Sequence, residues 1–182
     1  KNAAATIMHS FMTMGLVGVV WVLWGYSLAF GPTVGGFIGN LDWVGLRGVS
    51  AEAAGPYSDT IPHQAFMIFQ AMFAIITPAL IIGGFAERMK FSAFVIFIVL
   101  WVTVVYAPMA HWVWAKGGWL GNLGALDFAG GTVVHINSGV AALAAALILG
   151  RRLGYGKQPM VPHNVPLVVL GLTLLAVGGL PW

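Results

Sequence analysis

The sequence predicts an all-α fold, a polytopic transmembrane helix bundle of about five spanning helices. Three observations predict it. First, hydrophobic residues make up 59% of the 182-residue chain, beside only eight basic and five acidic side chains. A soluble domain carries roughly a quarter of its residues as charges. So few charges cannot cover a surface facing water, and the solvent must be mostly lipid. Second, five apolar runs stand at 4–31, 63–86, 91–114, 126–149 and 164–181, each near the ~20 residues that cross a bilayer as helix. Third, the connections between the runs alternate in charge.

The first run is the least uniform, because His9, Ser10 and Thr13 sit in its first half. The second and third contain Pro78 and Pro108. Proline is tolerated at membrane depth where neighbours satisfy the freed carbonyl, so both should mark kinks. The fourth is rich in Gly, Ala and Ser. Helices in lipid lack a hydrophobic drive toward each other and pack through small side chains. Ser138, Ala142 and Ala146 recur every four residues and form one expected contact stripe, which places this helix centrally in the bundle. No internal repeat is visible, and the expectation is a single, partial transmembrane domain over 1–182.

Glu87-Arg88-Met89-Lys90 joins the second and third runs, and Arg151, Arg152 and Lys157 lie between the fourth and fifth. The loop 32–62 sets Arg47 against Asp42, Glu52 and Asp59, and the loop 115–125 holds only Lys116. The positive-inside rule therefore puts 87–90 and 150–163 in the cytoplasm and starts the first run from a cytoplasmic Lys1. The long 32–62 loop should fold over the outer mouth. The scattered basic residues exclude a nucleic-acid partner, and the lack of cysteine excludes disulfides and thiolate metal sites. Neither a cofactor nor a bound metal is expected.

Ionisable groups are costly in a bilayer and are seldom there without a task, which singles out Asp127 and His135. Asp127 begins the fourth run. It reads either as an N-cap accepting from the amides of Ala129 or Gly130, or as an acid shaping the outer end of a conduction path. His135 stands eight residues on, about 12 Å deeper if both belong to one helix. A packing role is its ordinary alternative. A neutral imidazole offers one donor and one acceptor, suited to passing a hydrogen-bonding solute, relaying protons or holding a haem iron. His9, His111 and His163 read as structural, with His111 near enough to the outer surface to snorkel. Trp112 and Trp114 fall at the outer end of the third run, as an interfacial belt or as an aromatic face for a small cation.

Phe73-Ala-Ile-Ile-Thr-Pro-Ala-Leu-Ile-Ile-Gly-Gly-Phe-Ala-Glu-Arg-Met-Lys-Phe-Ser-Ala93, Ala110-His-Trp-Val-Trp114 and Gly124-Ala-Leu-Asp-Phe-Ala-Gly-Gly-Thr-Val-Val-His135-Ile-Asn resemble the ammonium transporter family (Amt/Mep, related to Rh proteins), and Trp24-Gly-Tyr-Ser-Leu-Ala-Phe30 fits as well. The run Asp127–Asn137 is the most specific part. The resemblance implies that the five runs are helices 2–6 of an inverted-repeat transporter of about eleven helices. It implies Trp114 as the aromatic wall of an outer recruitment site and Phe73 as one of two stacked rings gating the pore. It also implies Asp127 as an acid needed for structure and conduction, and His135 as the first of twin pore histidines. The family's first helix, the second histidine, the second gating phenylalanine and the outer-site serine have no counterpart here. Residues 172–182 depart from the pattern, so the chain reads as a partial copy.

The function so implied is transport, not catalysis: ammonium or ammonia, with methylammonium as analogue, crossing the plasma (inner) membrane through a hydrophobic, histidine-lined pore. The implied partners are the lipid bilayer, two further copies in a homotrimer and a PII-type regulatory protein on the cytoplasmic face. A haem-binding redox subunit using His111 and His135, or an unrelated small-solute channel, are the rival readings.

Overall fold

The computed structural model describes residues 3–179, and its helices follow the apolar runs closely. The first run becomes helix α1 (Ala3–Val20), a π-helical turn (Trp21–Gly25) and α2 (Tyr26–Phe30). The second is α3 (His63–Phe85). The third is α4 (Phe91–Trp101), a π-helical turn (Val102–Tyr106) and α5 (Ala107–Trp114), followed by the short α6 (Trp119–Asn122). The fourth is a π-helical segment (Gly131–Ile136) continued by α7 (Asn137–Leu149), and the fifth is α8 (Val165–Gly179). Four helical stretches, Ala3–Phe30, His63–Phe85, Phe91–Asn122 and Gly131–Leu149, are long and apolar enough to cross a membrane. Helix α8 is apolar but shorter, and residues 180–181 of the expected fifth span lie outside the described residues.

The two prolines act differently. Pro108 follows the π-helical turn, in which the Ala107 amide reaches back five residues to the Val102 carbonyl. The wider turn gives room for a ring that would otherwise crowd the preceding carbonyl. Pro78 is carried inside an unbroken α3. There the Thr77 hydroxyl donates to the Phe73 carbonyl at 2.6 Å, supporting the turn that the proline weakens.

The core lies where α1, α3, α4 and the turn into α5 meet, around fully buried Trp21, Tyr26, Phe30, Phe94, Ile98 and Tyr106. Trp21 ties two of these helices, its indole N–H donating to the Met67 carbonyl at 3.2 Å. Helix α7 packs on α3 through the small residues. A Cβ added at Gly84 would stand 2.6 Å from the Ala142 carbonyl oxygen, so the two backbones touch. Ser138 is buried and Ala142 and Ala146 are half-buried, in keeping with the expected stripe. Among the described residues this helix packs on one side, and Ile136, Val140, Leu143 and Leu147 on the other side are exposed.

The 32–62 loop is ordered by aromatic contacts with the helix ends. It holds a two-stranded antiparallel hairpin, β1 (Thr33–Val34) with β2 (Ile38–Gly39). Tyr57 stacks on Phe66 at 4.9 Å and donates its hydroxyl to the Phe30 carbonyl at 2.7 Å. Burial pushes that phenol up to about 12.

Candidate functional site

Two elements meet at the end of the bundle nearest this loop. One is the last turn of α5, which carries Trp114. The other is the start of the fourth spanning helix, which the apolar run places at 126 but which begins at Gly131. Residues 126–130 are an approach loop, because Gly130 takes a left-handed conformation with φ +87. A Cβ at Gly130 would come within 2.5 Å of the Val134 side chain, so only glycine makes this turn.

Asp127 caps the helix more completely than an ordinary N-cap. Its Oδ1 accepts from the amides of Gly130 (2.6 Å) and Gly131 (2.8 Å), and its Oδ2 from those of Thr132 (2.8 Å) and Val133 (3.0 Å). Ala129, one of the two expected donors, takes no part in this set. A helix start leaves four amides without partners, and here one carboxylate serves four. A carboxylate offers about four lone-pair sites, so none remains for a cation. The 12 Å separation along one helix is also corrected. Asp127 precedes the helix, and His135 lies only four residues past Gly131, about 6 Å of rise.

Trp114 is joined to the same turn. Its indole N–H donates to the Asp127 backbone carbonyl at 2.7 Å. Its ring meets Phe73 at 5.5 Å and 65°, and Phe73 meets Phe69 at 5.2 Å and 79°. These are edge-to-face pairs, the arrangement that aromatic quadrupoles favour. The structure therefore brings Phe73, Trp114 and Asp127 into one cluster of half-buried side chains. Gln70 Oε1 is buried without a hydrogen-bond partner. His135 stands apart, its side chain exposed on the uncovered side of the π-helical segment.

The other histidines are structural, though not all as expected. His9 packs edge-on against Phe94 at 4.6 Å and bonds the Ala5 carbonyl at 2.6 Å. His111 does not snorkel. It is fully buried, with Nδ1 at 2.9 Å from the Ala29 carbonyl and Nε2 at 2.8 Å from the Thr33 hydroxyl, so it fastens α5 to α2 and the hairpin. His163 is exposed in its loop. His63 escaped the sequence reading because it follows Pro62 at the edge of an apolar run. It is buried, 2.7 Å from the Tyr26 hydroxyl and edge-on to Trp43 at 4.6 Å. No group of three or more His, Cys, Asp or Glu that could hold a metal ion occurs among the described residues.

Comparison with known proteins agrees with this architecture. A model of the Ammonium Transporter Family matches residues 1–180. The chain is 54% identical over 178 residues to an ammonium transporter of Bacillus subtilis (strain 168), covering 98% of this chain and 43% of that protein. It is 46% identical over 178 residues to the ammonium transporter Amt1 of Archaeoglobus fulgidus, with coverage of 98% and 43%. Among solved structures, Mep2 of Saccharomyces cerevisiae superposes with a TM-score of 0.75 at 44% identity, over 81% of this chain and 32% of that one. A protein described as a sensor Amt protein superposes with a TM-score of 0.82 at 31% identity, over 94% and 43%. The chain thus spans less than half the length of the relatives it matches. In sequence and in helix arrangement, the chain belongs to the ammonium transporter family.

Proposed function

We propose that this chain supplies the outer recruitment site and the first part of the conduction path for ammonium across the plasma membrane. The observation that carries the reading is the joined cluster: Trp114 fixed to the Asp127 carbonyl with Phe73 against its ring. An aromatic face attracts a small cation by about 0.5–2 kcal/mol, more when water is excluded. A ring whose indole N–H is already bonded keeps one orientation and does not reorganise for each ion. Phe73 then bars the way to a charged, hydrated species, because an ion without its water is costly in an apolar constriction. Ammonia passes once its proton has gone to water at the outer mouth or to the histidine path. His135 offers a donor and an acceptor along that neutral path.

In this reading Asp127 acts indirectly: its carboxylate builds the turn whose carbonyl holds Trp114. The relatives' printed names support ammonium as the substrate. Assembly as a homotrimer, a PII-type partner and the cytoplasmic placement of 87–90 and 150–163 belong to the same proposal. That these two loops lie at one end of the bundle supports their sharing a side, since Arg152 pairs with Glu87 at 3.9 Å. The haem rival loses support because His111 has both ring nitrogens in hydrogen bonds.

The test is radiolabelled methylammonium uptake, with potassium as competitor, in Trp114→Ala and His135→Ala. We expect Trp114→Ala to weaken discrimination against potassium and His135→Ala to cut the uptake rate. Unchanged uptake and selectivity in both variants would sink the proposal.

A further inference from the structure

The first turns of α1 and the last turn of α3 form a cavity of about 170 Å³, at the end of the bundle away from Trp114. Ile82 and Phe85 of α3 give it an apolar wall, and His9 and Glu87 bring polar groups to it. His9 Nδ1 stands 2.6 Å from the Ala5 carbonyl. A carbonyl oxygen only accepts, so Nδ1 carries the proton and the neutral ring keeps a lone pair on Nε2. Among the described residues nothing bonds Nε2. Phe94 and Phe91 meet the ring edge-on at 4.6 and 5.7 Å and hold its orientation. Glu87 lies in the left-handed region at φ +63, where a residue other than glycine is strained. Backbone strain of this kind gathers at binding sites. The contact of Glu87 with Arg152, at 3.9 Å, is exposed and longer than a hydrogen bond, so the carboxylate keeps lone pairs for the cavity. Arg88 takes no part in the lining, because its guanidinium donates to the Gly84 and Gly150 carbonyls.

We propose that this cavity is a second ammonium site, apart from the conduction path, in which the ion donates to His9 Nε2 and to the Glu87 carboxylate. The inference rests on the reading of ammonium as the transported solute. The two polar groups are both acceptors, and one is an anion, so the matching ligand is a cation that donates hydrogen bonds. The volume suits a small one: at about 30 Å³ for each water, it holds the ion and a few waters. The nitrogen acceptor decides between cations of similar size. Ammonium donates an N–H to a nitrogen lone pair, whereas a hard metal cation such as potassium donates nothing and takes oxygen ligands. A carboxylate alone would not make that distinction.

The experiment is nitrogen NMR of the purified protein labelled on its histidines, at about pH 8, above the ordinary imidazole value. His9→Phe keeps a ring against Phe94 and identifies the His9 signal by its loss. Ammonium chloride should shift the Nε2 resonance saturably, and potassium chloride at the same ionic strength should not. Glu87→Gln should weaken the ammonium titration about tenfold or more, the worth of a hydrogen bond to a charged acceptor. Circular dichroism establishes that both variants keep their helices. No shift with ammonium, or a titration that Glu87→Gln leaves unchanged, would overturn the proposal. So would an equal shift with potassium, which would mark a general cation site. A shift with zinc chloride where ammonium gives none would mark a metal site and overturn it as well. The readout is binding and not uptake. Methylammonium uptake without a response at His9 would overturn this site and leave the transport reading standing. A response at His9 without uptake would support the site and count against the transport reading alone.

Discussion

The substitution Asp127→Asn separates the four-amide clamp from an ordinary helix cap. At an ordinary N-cap the side chain accepts one amide bond, and asparagine does so about as well as aspartate. That view predicts a loss of a few tenths of a kcal/mol. The observed geometry predicts far more. Both carboxylate oxygens are engaged twice, by Gly130 and Gly131 on one side and by Thr132 and Val133 on the other. An amide keeps one oxygen, enough for two of these donors, and turns an NH2 group toward the other two. Each abandoned donor costs about 1–3 kcal/mol, and the two surviving bonds lose the charge that made them roughly twice as strong as neutral ones. Gly131 is exposed, so water relieves one donor. The net loss comes to about 3 kcal/mol. In a chain of this size that lowers the thermal midpoint by about 6–12 °C, and it speeds amide exchange at 130–133 on the order of 100-fold. Thermal unfolding in detergent and residue-resolved hydrogen exchange read the two quantities. A midpoint within about 1 °C of the parent, with protection at 130–133 retained, would refute the clamp.

Other substitutions test the helix contacts and the outer loop. Gly84→Ala drives a methyl to 2.6 Å from the Ala142 carbonyl oxygen; it should cost about 1–3 kcal/mol and show as a lower midpoint, without rescue by trimming neighbouring side chains, because the obstacle is backbone. Tyr26→Phe removes the hydroxyl that pairs with buried His63 at 2.7 Å, at about 1–3 kcal/mol, and hydrogen exchange should rise first in the 32–62 loop. Tyr57 gives a pH dependence: its folded value is raised to about 12 from the ordinary 10, so its contribution is complete below about pH 10 and is lost as pH rises through about 12. Absorbance at 295 nm should show this phenol ionising late, and Tyr57→Phe should lose less stability across that window than the parent does.

The spans were legible because hydrocarbon sets a minimum apolar length and the runs meet it. Their ends were less legible, and Asp127 shows why. Length and hydropathy place it inside a run that starts at 126, but a left-handed Gly130 delays the helix to Gly131. The one available signal was local: an acid followed three and four positions on by two glycines, the pattern of a carboxylate folding back over a helix start. The π-helical turns left almost no trace, apart from Pro108 behind the second of them. Contacts between distant segments left none. Nothing local in the sequence joins His63 to Tyr26 or His111 to Thr33, pairs 37 and 78 residues apart, since each depends on how the helices pack.

The cluster at Trp114 also changes how its parts should be understood. Read singly, Trp114 is an interfacial ring, Phe73 an ordinary apolar residue and Asp127 a charge in search of a partner. Joined, they divide one task in the proposed function. The carboxylate has no acceptor site left, so Asp127 cannot coordinate a cation and still hold its helix. Its backbone carbonyl, presented by the turn that the carboxylate builds, is what reaches the Trp114 ring. In the proposed function the attraction for a cation rests on the Trp114 face, a neutral quadrupole, and not on a fixed negative charge. A bare carboxylate at that point would bind potassium as readily as ammonium and would hold either tightly. A fixed aromatic face binds more weakly and releases more easily, which suits the proposed role of a site that passes its ion onward.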